Sequence, residues 1–172
     1  MGWTSQHRAA GISDRDFFAR DLGKDYRFIE TASVNRATFY AAVEQISTGQ
    51  VSALVILMRW SRTDYYNFSH KWMGEEVGPC ETGAPARVLD ALTDTDSEWA
   101  NEWRAACRAR LARREQARSV KAGVSIRLAT PLRFSDNVER DTFTLISGSR
   151  FRAADGVVVR LTNWRDRAFT LV

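Results

Sequence analysis

The run from Val51 to Trp60, Val-Ser-Ala-Leu-Val-Ile-Leu-Met-Arg-Trp, does most to limit how this chain can fold. It is almost continuously apolar and has the length of a β-strand, while its apolar part, Val51 to Met58, is far too short to cross a bilayer. A strand of this kind needs cover on both faces, so its neighbours must supply a sheet and layers on either side of it. They have the right patterns. Ala37 to Ile46 alternates, with Phe39, Ala41 and Val43 on one face, and Thr48-Gly49-Gln50 is a turn between the two runs. Tyr26 to Thr31 reads as a shorter strand.

Helices flank this sheet in sequence. Ser13 is an N-cap with Asp16 three residues on, and Ile12 and Phe17 stand at hydrophobic-staple positions, so a helix is expected from Asp14 to Leu22 with Gly23 as its left-handed cap. Pro85 suits the first position of a second helix that has Val88, Leu89 and Leu92 on one face. Thr95 and Glu98 fit a capping box for a third, in which Trp99, Trp103, Cys107 and Leu111 are predicted to form the buried stripe. Beyond Leu111 the apolar positions run out, and the remainder is expected to project into solvent or onto a partner.

From Gly123 the pattern changes to five short strands, near 124–129, 142–147, 150–153, 157–162 and 168–172, with turn chemistry at Ser135-Asp136-Asn137, Gly148-Ser149 and Asp155-Gly156. The expected architecture is α+β: an N-terminal antiparallel sheet with helices and a long basic helix over residues 1–121, then a small five-stranded SH3-like or OB-like barrel over 122–172. With 44% apolar residues, 172 residues suffice to bury a real core. No secretory pattern opens the chain, and its two cysteines, Cys80 and Cys107, have neither the number nor the spacing of a disulfide framework, which together point to the cytoplasm. His7 and His70 are the only histidines, no two ligand-type residues have a zinc spacing, and no metal or other cofactor is expected.

Charge is blocked along the chain. Residues 81–103 carry one basic and six acidic groups, whereas 104–121 carry seven and one. Of the 25 basic residues 22 are Arg, the type suited to bidentate phosphate or carboxylate contacts, although a GC-rich coding sequence produces the same bias. Along a helix, Arg108, Arg110, Arg113, Arg114 and Arg118 form a surface able to lie against phosphates or an acidic partner.

The densest polar stretch runs from Asp64 to Cys80 and is expected to be a loop. Cys80, His70 and Glu75 or Glu76 offer a nucleophile, a base and an orienting carboxylate, the components of thiol catalysis. Asn67, Ser69, Lys71 and Glu75 equally suit a structured loop bonded to its own backbone, with Lys71 and Glu75 paired across four residues.

Several blocks resemble an uncharacterised family of small proteins encoded by phages, plasmids and integrative elements. They are Met1-Gly2-Trp3-Thr4-Ser5, Phe39 to Val43, Asp64-Tyr65-Tyr66-Asn67-Phe68-Ser69 with Lys71, Met73, Glu75 and Gly78-Pro79-Cys80, and Asp96 to Arg104. Trp72 and Gly74 stand where that family tends to have acids, and Ala84 where it tends to have a second cysteine, so a metal or redox site built from those positions is not expected. The resemblance implies a mobile-element context without a mechanism. The expected role is a non-enzymatic accessory protein that binds nucleic acid or a nucleic-acid-handling complex, with no membrane partner. Two alternatives stay open: a counter-defence inhibitor that binds a host protein, such as an anti-CRISPR, and a thiol-dependent enzyme using Cys80 and His70.

Overall fold

The computed structural model describes residues 10–34, 37–60 and 68–172. The chain forms two compact units, Met1–Arg108 and Ala109–Val172.

In the N-terminal unit, α1 spans Asp14–Leu22 as expected, with Ser13 Oγ accepting the Asp16 N–H at 3.1 Å. Gly23 closes it at φ 89° and ψ 177°, an extended positive-φ conformation in place of the expected left-handed helical cap. Four strands follow, β1 (Tyr26–Val34), β2 (Thr38–Gln45), β3 (Gln50–Trp60) and β4 (Phe68–Gly74), all antiparallel in the order β1-β2-β3-β4. The apolar run is β3, an inner strand between β2 and β4. One face carries Phe39, Ala41, Val43, Ile56 and Met58 and packs on Phe18 of α1. On β2 and β3 the alternate residues Tyr40, Ala42, Ala53 and Val55 are buried as well. There α2 (Ala86–Asp90) packs against β1 and β2, and the Gly83 N–H donates to the Tyr40 hydroxyl at 3.1 Å. Pro85 stands just before α2, as its N-cap.

The stretch expected as a loop contains β4, which is the edge strand beside β3. Alternation explains it: His70 and Trp72 turn toward the α1 side, where their rings make edge contacts with Phe18 at 5.2 and 5.5 Å, while Lys71 between them is exposed. Asn67, along with Met1 to Ser5, His7 and Asp64 to Tyr66, lies outside the described residues.

The long helix α3 covers Glu98–Ser119, and the division between the units falls within it. Its cap is Ser97, whose Oγ accepts the Ala100 N–H at 3.3 Å; Thr95 instead accepts the N–H of Ser97. The buried face in the first unit is Ala100, Trp103 and Cys107, and Trp99 is 63% exposed. A strict four-residue repeat overshoots a full helical turn by about 40° at each step, so Trp99 drifts off the face that the spacing of three and then four keeps aligned.

The C-terminal unit holds β5 (Ser125–Arg133), β6 (Glu139–Ser147), β7 (Arg150–Ala153), β8 (Val158–Arg160) and β9 (Phe169–Leu171) in the order β8-β7-β6-β5-β9. This is an open antiparallel sheet and not the closed barrel expected. The terminal strands have three residues each, and among the described residues no ladder joins β8 to β9. Where a closing ladder would run, the Trp164 ring contacts Phe151 of β7 at 5.2 Å and Phe169 of β9 at 5.8 Å. Ala117 near the end of α3 and Val120 just beyond it join the same core, so this part of the helix is packed on its own unit and does not project.

Candidate functional site

Two clusters in the structure involve the candidate residues. The first is a groove of about 770 Å³ in the C-terminal unit. Arg114 and Arg118, one turn apart on α3, form one side; Arg160 at the end of β8 and Arg165 in the 3₁₀ turn Trp164–Asp166 complete it. Packing of Ala117 and Val120 fixes which side of the helix end faces the sheet. The unit as a whole carries thirteen basic and six acidic residues, a net charge of +7, whereas the first unit carries twelve and fifteen.

Asp166 is the one carboxylate in the groove wall, and it is engaged. Its side chain accepts from Arg114 Nε and, at 2.8 Å, from Arg110 Nη2, while its backbone carbonyl accepts from Arg113 Nε at 3.1 Å. Hydrogen bonds from Arg114 first and Arg110 second hold the Asp166 carboxyl far below the usual carboxylate range. Arg165 lies over the Trp164 ring, 5.1 Å from its centroid, which orients the guanidinium. Trp164 itself is 2% exposed and donates Nε1–H to the Gly148 carbonyl at 3.3 Å, so its face is not available to stack on a base. The groove is therefore suited to anionic oxygens, with exposed arginines able to fork onto them.

Sequence reasoning named Arg114 and Arg118, and the structure sets both in this groove. Arg110 and Arg113 serve the Asp166 clamp, which Arg114 shares. Arg108 belongs to the first unit, where it pairs with Asp90 at 3.0 Å, and Arg118 also meets Glu115 one turn back. Arg160 and Arg165 were missed. They are 46 and 47 positions beyond Arg114 and Arg118 in sequence, and only the fold brings them alongside.

The second cluster centres on Glu75, in the 3₁₀ turn Glu75–Val77 that follows β4. The β4 ladder ends at Gly74 opposite Leu54, which leaves the β3 edge open beyond it. Glu75 Oε1 accepts the Ala53 N–H at 3.1 Å and so replaces a missing rung, and Thr93 does the same for both backbone groups of Val51. Arg104 of α3 then grips the carboxylate with both arms, Nη2 to Oε1 at 2.6 Å and Nε to Oε2 at 2.7 Å, and donates Nη1–H to the Thr93 carbonyl. The Glu75 hydrogen bond raises the Arg104 pKa against the opposing effect of burial. The expected pair of Lys71 and Glu75 is not formed, because the strand leaves Lys71 exposed while Glu75 turns to Arg104.

The remaining polar candidates stand in different surroundings. His70 is buried among Phe17, Phe18 and Trp72, with Nε2 3.4 Å from Asp21 Oδ2. Glu75 has both oxygens engaged by donors other than an imidazole. Cys80 is exposed and Cys107 buried, and neither is in a disulfide. Ser69 lies on β4 opposite Arg59. Among the described residues no group of three His, Cys, Asp or Glu side chains is placed to hold a metal, and no helix is long and apolar enough to cross a membrane.

No curated protein and no solved structure matches the chain. Residues 94–167, which include α3 and every arginine of the groove, match the family model described as Domain of unknown function (DUF6927).

Proposed function

We propose that the C-terminal unit binds nucleic acid through its phosphates, in an accessory protein of a mobile element that acts in the host cytoplasm. One observation carries this reading: Arg114, Arg118, Arg160 and Arg165 converge on a single groove in a unit of net charge +7. Arg114 is already paired with Asp166, so Arg118, Arg160 and Arg165 supply three phosphate contacts and a salt slope of about −2.7 on duplex DNA; affinity should fall about 40-fold between 50 and 200 mM salt, and about 20-fold on a single strand. Electrostatic steering by the same charge favours rapid association.

The test is a salt series of binding to labelled duplex and single-stranded DNA and RNA. Beside the wild type stands a variant with Arg118, Arg160 and Arg165 changed to Ala, which leaves the clamp on Asp166 intact. The variant should lose most of that slope on duplex. Absence of wild-type binding at low salt, or equal slopes in the two proteins, refutes the proposal.

A second reading, a protein that occupies a host protein as a counter-defence inhibitor does, is favoured by Trp99. This large ring is mostly exposed and lies over Gly78, beside exposed Val77, as an interface anchor would. Binding through Trp99 should be nearly insensitive to salt and be lost in Trp99→Ala.

A further inference from the structure

The N-terminal unit contains a cavity of about 440 Å³ at the end of the sheet where β2 turns into β3, a volume suited to a small molecule. Leu22, Val43 and Leu54 give it apolar surface, and Gln45, Gln50 and Ser52 supply carboxamide and hydroxyl groups. Its charged residues are Glu75 and Glu76. Glu75 is neutralised by Arg104 and fully engaged. Glu76 is different. Among the described residues no hydrogen bond or ion pair engages its carboxylate, and the side chain folds back over Gly74, with Oε1 2.5 Å from where a Cβ at that position would stand. Glycine at 74 is thus what lets the carboxylate lie at the cavity wall.

We infer that this cavity binds an organic cation, a primary amine or guanidinium on a short apolar body, with Glu76 as its counter-ion. A carboxylate beside neutral hydrogen-bonding groups and an apolar floor matches a charged head and an aliphatic stem. The net negative charge of this unit, fifteen acidic against twelve basic residues, draws in the same ligands. The start of α3 lines the far wall through Ser97 and Ala100, but the Ala100 N–H is capped by Ser97 Oγ and Glu98 occupies the first turn, so this helix end does not call for an anion.

The experiment titrates the full chain with 1-aminopentane and with butylguanidine, followed by amide chemical shifts and calorimetry, with adipate as an anion of similar length. Both cations should shift the amides around Ser52 and Glu76, and adipate should not. Glu76→Gln should weaken cation binding roughly ten- to a hundredfold, the loss of one charge-assisted contact. Gly74→Ala is the independent variant: φ is −73° there, so alanine is unstrained, and its Cβ displaces only the mobile end of Glu76. It should weaken binding comparably while the melting curve stays in place. No binding of either cation at about 10 mM, enough to fill most of a site whose Kd is about 1 mM, overturns the inference. So does cation binding that survives both variants, or adipate binding as well as the cations.

Discussion

Replacing Arg104 with Ala tests the part of the N-terminal unit that holds α3 to the sheet edge. Glu75 is 2% exposed and accepts three hydrogen bonds, two of them from Arg104. Without the guanidinium the carboxylate keeps only the Ala53 N–H and remains in a low-dielectric site. Removing one member of a buried pair costs about 3–5 kcal/mol, chiefly through the charge left behind. The lost bond from Arg104 to the Thr93 carbonyl pushes the result toward the upper end. For a domain whose total stability is about 5–15 kcal/mol this is a third or more. At an m-value of about 2 kcal/mol/M the urea midpoint should fall by about 2 M, read by circular dichroism and tryptophan fluorescence. Glu75→Gln combined with Arg104→Met removes both charges and should recover much of the loss, because no buried ion remains. A single Arg104→Ala variant within about 1 kcal/mol of wild type, or a double variant less stable than the single, would refute this account.

Four further outcomes are expected. Trp103→Ala should destabilise by about 3–5 kcal/mol in chemical denaturation, and Trp99→Ala, at a mostly exposed position, by less than about 1 kcal/mol. Ser97→Ala should cost about 0.5–2 kcal/mol by loss of the α3 cap, more than Thr95→Ala, in the same assay. Trp164→Ala should cost about 3–5 kcal/mol and expose the open side of the C-terminal sheet to dye binding. Asp166 binds a proton less readily folded than unfolded, so its stabilisation is complete above the unfolded value near pH 4 and is lost as pH falls toward the depressed folded pKa. The stability gap between wild type and Asp166→Asn should therefore be full at pH 7 and narrow progressively as pH falls below about 4, and a constant gap down to pH 2 contradicts the clamp.

The most legible elements are those written in local sequence. Ser13 with Asp16 places the start of α1, the alternation of Phe39, Ala41 and Val43 orients β2, and Asp155-Gly156 marks the β7–β8 turn, because capping, pleat and turn conformation depend on a few adjacent residues. Local signals fail where two patterns compete. Thr95 and Ser97 are both sound caps, and the packing of Ala100 and Trp103 decides between them. Phe68 to Gly74 has alternation weak enough to be hidden by its polar side chains, and pairing with β3 makes it a strand.

The candidate site divides along the same line. Sequence by itself determined the α+β class, the central apolar strand, the N-cap of α1, the hairpin turns and a helix loaded with arginines, since each follows from periodicity or short-range chemistry. Tertiary structure alone decided which arginines share a groove, which are spent on Asp166, and that Glu75 belongs to Arg104, 29 positions away. It also left the C-terminal sheet open. These outcomes depend on which side chains meet after distant segments pack, and a pattern read along the chain carries no information about that distance.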